Sequence, residues 1–213
     1  SNLSKLEHNN HIQKIDNKYY INPITEIYYT TLMDFKKSVE LINNYNTFWD
    51  RHNIDQLGVE SIKRLTDLKD SKLVETTIID IYKTHNTTKD QLLKSKTVKA
   101  IFPFLHPEHP EIIETILKND GKIELIIPHS IYKTLLFNIS TDVRKNAVKK
   151  RKLKVYPVKE DLNIYLTICD ETMSLGLFKN DGSFDQNRIL IGNSQKSCQW
   201  AEDLFKTIKQ DVI

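Results

Sequence analysis

Leu3 and Leu6 share one face of a stretch that reads as the end of a helix reaching Asn10. Two runs of β-branched and aromatic residues follow, Ile12-Gln13-Lys14-Ile15 and Tyr19-Tyr20-Ile21, around Asp16-Asn17-Lys18. That pattern predicts a β-hairpin. Pro23 stops the second run, and Thr25-Glu26 offer the capping hydroxyl and first-turn charge of a new helix. Within it, Tyr28, Leu32, Phe35, Val39 and Ile42 recur at spacings of 4, 3, 4 and 3, the rhythm of a coiled-coil seam. The stripe has two destinations open to it: a second copy of the chain, or the domain that follows.

Phe48-Trp49 forms an apolar island ahead of Arg51-His52. Short helices are expected at Val59 to Leu65 and Thr77 to Tyr82, an extended segment at Lys72 to Glu75, and a loop at His85 to Thr88. From about residue 93 strands and helices alternate. Val98 to Phe102 predicts a strand. Pro110 opens a helix whose apolar face is Ile112, Ile113, Ile116 and Leu117, closed by Gly121. Lys122 to Ile127 reads as a strand ended by Pro128, followed by helices at about 129–137 and 140–150. Three successive strands at 153–158, 164–169 and 173–178, a last strand at Arg188 to Ile191 and a closing helix at Ser194 to Lys209 complete the pattern. Helices crossing between strands require a parallel portion of the sheet, and the later run of strands an antiparallel one. The fold class is α/β (α+β) with a mixed sheet.

Charge and composition narrow this picture only a little. The 31 basic and 28 acidic residues leave a net charge of +3, so any nucleic-acid contact must rest on where the basic residues lie. Arg144 to Lys154 is the densest basic run, but no aromatic side chain is interleaved there, and it reads as a solvated helix end and edge strand. Cys169 and Cys198 fit no metal or redox spacing and read as free thiols in the cytoplasm. No apolar run is long enough to span a bilayer, so no membrane partner is expected. The opening Ser1-Asn2 reads as a cloning remnant.

The five glycines form no dinucleotide, P-loop or nucleophile-elbow pattern. None of the seven histidines has a lysine two residues on, which excludes the His-x-Lys core of phospholipase-D-type catalysis. The densest ligand-like group is His106-Pro107-Glu108-His109. Its prolines oppose helical pairing of the two imidazoles, and no cysteine or second acid stands at metal spacing. No metal, cofactor or catalytic residue is therefore expected. The alternatives are a hydrolytic α/β enzyme using the His106/His109 region, or a protein-interaction module without a ligand. An enzyme needs a nucleophile and base in hydrogen-bond reach within a cleft; an interaction module would lack a cavity of about 300 Å3.

Phe48-Trp49-Asp50-Arg51-His52-Asn53-Ile54, with Ile62-Lys63-Arg64-Leu65 and Leu68, resembles the archaeal winged-helix transcription regulators of the methanogenesis regulatory protein family. So do His106 to Ile112, Lys122 to Pro128, Ser174 to Phe178 with Asp181 to Asp185, and Trp200 to Phe205. The chain departs from that family at Asp55-Gln56-Leu57-Gly58-Val59, where Gly-Ile-Pro is typical. The resemblance implies three parts: residues 1–23 as the C-terminal part of a winged helix-turn-helix, 24–92 as connecting and dimerisation helices, and 93–213 as an α/β sensor domain resembling a phospholipase-D-like fold. A complete member carries the first helices of the winged helix ahead of residue 3. The implied function is transcriptional regulation by a homodimer that contacts DNA and senses a small-molecule effector. In that reading Lys14 and Lys18 on the hairpin wing, with Lys5, contact DNA phosphates. Tyr28, Leu32, Phe35, Val39 and Ile42 form the dimer seam. Trp49, His52, His106, Tyr132, Tyr165 and Phe178 are the effector-pocket candidates, chosen by position.

Overall fold

The computed structural model describes residues 2–159 and 161–212; Ser1 of the expected cloning remnant lies outside them. Two compact units divide between Asn44 and Tyr45.

In the first unit, α1 (Asn2–His8) leads to the hairpin β1 (Ile12–Ile15) and β2 (Lys18–Ile21). Ile15 pairs with Lys18, so the loop is Asp16-Asn17 alone and Lys18 already belongs to the strand. Both loop residues have positive φ, 46° and 59°, as a type I′ turn requires and as Asp and Asn tolerate best after glycine. The next helix, α2 (Pro23–Asn44), begins ahead of the expected Thr25-Glu26. Asn22 is the capping residue: its Oδ1 accepts from Thr25 N at 2.8 Å. Pro23 does not merely stop the strand. Its fixed φ and missing N–H suit the first helical turn.

The second unit opens with α3 (Asn46–Arg51) and α4 (Gly58–Lys63), the latter followed by a 3-10 turn at Leu65–Leu68. Then come β3 (Lys72–Glu75), α5 (Lys83–Lys94), β4 (Thr97–Ile101), α6 (His109–Lys118), β5 (Lys122–Pro128), α7 (His129–Phe137) and α8 (Thr141–Lys149). The strands β6 (Leu153–Val158), β7 (Ile164–Cys169), β8 (Thr172–Leu177) and β9 (Arg188–Gly192) and the helix α9 (Gln195–Val212) complete it. Among the described residues, seven strands form one mixed sheet in the order β3-β9-β8-β7-β4-β5-β6. β4, β5 and β6 run parallel, joined by helical crossovers; β7, β8, β9 and β3 are antiparallel. All six residues of β7 are buried, as a strand covered on both faces must be.

One face of the sheet packs Val98, Ala100, Ile123 and Leu125 against Ile112, Ile113 and Ile116 of α6. The other face meets α9, where Lys99 pairs with Glu202 and Lys209 Nζ lies 2.6 Å from Glu124. Trp200 is buried there and its Nε1 donates to the Ser61 carbonyl at 2.8 Å, tying α4 to α9.

β3 is an edge strand of the sheet, and the compact unit that contains it begins at Tyr45. Three sequence expectations change. Thr77 to Tyr82 is not a helix: the run Thr76-Thr77-Ile78-Ile79 is β-branched, and Asp80 N and Thr77 Oγ1 close a turn at 3.0 Å. His85 to Thr88 is not a loop but lies inside α5, whose buried face is Thr84, Thr88 and Leu92, four residues apart. At the end of α6 the left-handed residue is Asp120 (φ 66°) and not Gly121. Gly121 serves a close approach: a Cβ there would lie 2.6 Å from Ile116 Cγ2 and 2.8 Å from the Ile116 carbonyl.

Glu114 joins α6 to the start of α8. Ser140 donates to it through N at 2.9 Å and Oγ at 2.7 Å, and Lys118 Nζ lies 2.6 Å away. The Lys118 bond, then the two from Ser140, hold this carboxylate down at about 2 against an ordinary 4.5. A depressed carboxylate contributes stability that is full above the ordinary value and lost as pH falls through the folded one. Urea midpoints are expected to fall between pH 4.5 and about 2, and Glu114→Gln to flatten that part of the curve. An unchanged slope in the variant would remove Glu114 from the account.

Candidate functional site

At the carboxyl end of β4 the sheet changes from a parallel neighbour, β5, to an antiparallel one, β7. The chain leaving β4 crosses this end of the sheet before α6 begins. Between it, α5 and the segment preceding β9 lies a cleft of about 280 Å3. That is just below the roughly 300–1,000 Å3 usual for small-ligand sites, and the carboxyl ends of strands are where open α/β sheets commonly place them.

Three imidazoles line the cleft. His85 comes from the first turn of α5, and His106 and His109 come from the turn that starts α6. The His85 and His106 rings stack with centroids 4.1 Å apart. The turn is held by its own side chains: His106 N donates to His109 Nδ1 and Glu108 N donates to His106 Nδ1, each at 3.2 Å. Pro110 sits in the first turn of α6, where its ring fixes the helix start. His109 is buried and stacks on Phe102 at 4.1 Å; burial pushes its pKa down to about 3, so it is neutral at pH 7. Burial, then the neighbouring His85, also lowers His106.

Glu108 stands beside the imidazoles. Its carboxylate accepts from Lys89 Nζ at 2.6 Å and from His85 Nε2. Lys89 first, then His85, draw it down to about 2, so it is charged throughout the physiological range.

Aromatic rings form the apolar wall. Phe104 and Phe184 are 4.8 Å apart, and Tyr165 lies 5.9 Å from Phe184. The Tyr165 hydroxyl is raised by burial and stays protonated. Behind the wall is a buried polar hub. Asp185 Oδ2 accepts from His52 Nε2 at 3.0 Å and Arg188 Nη1 at 3.1 Å, and Oδ1 accepts from Asn187 N at 3.0 Å. Burial would raise Asp185, but the Asn187 N–H and Arg188 outweigh it and hold the carboxyl below its usual range. Arg188 reaches on to Glu75 at 2.7 Å.

Of the six effector candidates, the structure brings His106 and Tyr165 into the cleft. Phe178 stands one ring away, 5.4 Å from Phe184, and His52 one bond away through Asp185. Trp49 packs edge-on against Phe48 at 5.0 Å, outside the lining. Tyr132 is elsewhere, in a surface groove of α7 and α8 beside Arg144 and Lys145. Sequence reasoning missed His85, Phe104, Phe184 and Arg188. The four-residue spacing of Thr84, Thr88 and Leu92 was the signal that would have put His85 on a helix.

His106 Nδ1 and His109 Nδ1 accept from backbone N–H groups rather than from a serine or cysteine side chain. Burial pushes the Cys169 thiol up to about 12 and raises Cys198 as well, so neither thiol is activated as a nucleophile.

In the first unit Lys5, Lys14 and Lys18 are all exposed, and Lys14 Nζ lies 5.7 Å above the Tyr19 ring opposite it in the hairpin. Tyr28, Leu32, Phe35, Val39 and Ile42 are exposed along α2, with Ile24, four residues before Tyr28 and also exposed, extending the stripe. Among the described residues no helix is long and apolar enough to cross a membrane.

Residues 81–211 match the sequence family described as methanogenesis regulatory protein FilR1, middle domain. The chain is 26% identical over 166 residues to the methanogenesis regulatory protein FilR1 of Methanothrix harundinacea (strain 6Ac). That match covers 76% of this chain and 37% of the relative, so the chain spans little more than a third of the relative's length. Among solved structures it is similar to TrmBL2, described as an archaeal chromatin protein with a novel mode of DNA binding. The TM-score is 0.51 at 12% identity, over 99% of this chain and 80% of that one, a likeness of fold alone.

Proposed function

The chain belongs to the family of the FilR1 middle domain, and on that premise we propose that it is the dimerising and ligand-reading part of an archaeal, cytoplasmic DNA-binding transcription regulator. The observation that carries this reading lies in residues 12–42. A hairpin with exposed Lys14 and Lys18 leads directly into a 22-residue helix with an exposed seam-like apolar stripe. A two-fold regulator needs both features: cations on the hairpin wing to hold phosphates, and a helix beside the wing to pair two copies. Residues 1–23 are the end of the winged helix in this proposal, with Lys5 as a third phosphate contact.

The α/β unit reads a small effector in the cleft beside His106 and Tyr165, and binding there shifts the dimer between states of different DNA affinity. The unit does no catalysis. His106 and His109 are bonded to backbone and His85 to the Glu108 carboxylate, the thiols are held protonated, and among the described residues no nucleophile is paired with a base at the cleft.

The test selects genomic fragments with the full regulator at fixed salt, then measures affinity for an enriched fragment with and without fractionated metabolite extract. Enrichment and a metabolite-dependent shift are expected. Lys14→Ala and Lys18→Ala should each reduce the slope of log affinity against log salt by about one. Binding that shows no sequence preference, no salt slope lost in the variants and no metabolite response would refute the reading.

A further inference from the structure

We propose that His85, His106 and Glu108 form a binding site for one divalent transition-metal ion of the kind that prefers imidazole, such as zinc or nickel. The three residues come from two separately anchored pieces of chain, the first turn of α5 and the turn before α6. They offer one ligand atom each, and all three atoms lie within 4.8 Å of one another. With metal–nitrogen bonds of about 2.0–2.1 Å, neighbouring ligands around a tetrahedral ion sit roughly 3.4 Å apart. Side-chain rotation alone closes that difference, because all three are part-exposed at the rim of the cleft.

The chemistry of the donors fits. Two imidazoles and one carboxylate are a common set for borderline ions, whereas magnesium and calcium prefer oxygen alone. His85 Nε2 already faces the Glu108 carboxylate, to which it donates a hydrogen bond, and a metal ion would displace that proton and take its place between the two. On His106 the unprotonated nitrogen is Nδ1, since it accepts from Glu108 N at 3.2 Å, a long contact that coordination would replace. His109 supports the turn from behind, accepting from His106 N through Nδ1. Three protein ligands leave at least one position open toward the cleft.

Lys89 is the competitor. Its Nζ lies 2.6 Å from Glu108 Oε1, and its side chain is one-third exposed, so it can turn out to water when an ion arrives. Its charge weakens the site, which gives the proposal a signed test: removing it must tighten binding.

The experiment is isothermal titration of the untagged, chelator-treated full chain with zinc, nickel and magnesium chlorides, each metal alone, without DNA or effector. About one equivalent of zinc or nickel should bind at micromolar affinity or better, and magnesium should not. His85→Ala and His106→Ala should each weaken binding roughly tenfold or more, with circular dichroism showing both variants folded. Lys89→Ala, a surface change that leaves folding alone, should tighten it several-fold. Absence of saturable binding would overturn the proposal. So would affinity that survives both histidine variants but is lost in His8→Ala/His11→Ala, or an unchanged or weaker Lys89→Ala. The inference does not rest on the regulator reading, and because no DNA is present its failure leaves that reading standing.

Discussion

Asp185→Ala is expected to destabilise the α/β unit by about 3–5 kcal/mol, the cost of breaking a buried ion pair by removing one partner. Asp185 is 1% exposed, and the His52 side chain bonded to it is fully buried. Alanine leaves three donors without their acceptor: the His52 ring, one arm of Arg188 and the Asn187 N–H. Water cannot reach His52 to compensate, whereas Arg188 keeps its bond to Glu75 and is partly solvated. His52 therefore carries most of the loss. Its other nitrogen donates to the Phe48 carbonyl, so the damage spreads to α3, which the hub fastens to the segment before β9. Urea unfolding read by tryptophan fluorescence reports this unit selectively, since both tryptophans, Trp49 and Trp200, lie in it. A His52→Ala/Asp185→Ala double variant should lose less than the sum of the single changes. A loss below about 1 kcal/mol for Asp185→Ala, or strict additivity, would show that the hub is not a coupled unit.

The hub also marks how far the sequence could be read. Elements with a strong local period were legible. The face of α6 through Ile112, Ile113, Ile116 and Leu117 is buried throughout, and β5, β6 and β7 fall within a residue of their expected limits. Elements decided by tertiary pairing were not. β3 is four residues long, and only its partner β9 shows that it belongs to the sheet. The helix α5 is polar, with threonines as its buried contacts, so its period carried little hydropathy and its His85 was misplaced in a loop. The cleft suffered accordingly. His106 and Tyr165 were found because histidine and aromatic residues near strand ends are natural choices. Arg188 and Phe184, in contrast, reach the same cleft from a segment some eighty residues beyond His106 in the chain. Tyr132 shows the opposite error, an aromatic at the right kind of position whose helix faces another groove. Metal chemistry was discounted because Pro107 and Pro110 prevent His106 and His109 from pairing along one helix. The second imidazole of the cluster instead arrives from α5, over a distance that spacing rules do not cover.

Leu32→Asp combined with Phe35→Asp is expected to convert a dimer of this chain into a monomer. The two side chains are 65% and 67% exposed at the middle of the α2 stripe, between Tyr28 and Val39. Apolar side chains of this size stabilise by about 1.5–3 kcal/mol each when fully buried. Two per copy across a two-fold seam therefore set an upper bound of about 12 kcal/mol, reduced by the entropy of ordering the interface. Placing four carboxylates in the same seam adds like-charge repulsion to that loss. Dissociation constants should rise by more than a thousandfold, a change of about 4 kcal/mol that even a third of the bound supplies. Sedimentation velocity should show the wild-type chain as a dimer at tens of micromolar and the variant as a monomer. Because the altered side chains are exposed, circular dichroism and the urea midpoint of the α/β unit should not move, which separates loss of pairing from loss of folding. In the full regulator the same pair of changes should weaken binding to a two-fold operator far more than binding to a single half-site, since pairing positions both wings on the duplex. A wild-type chain that sediments as a monomer at every concentration, or a variant that stays dimeric, would reject α2 as the seam.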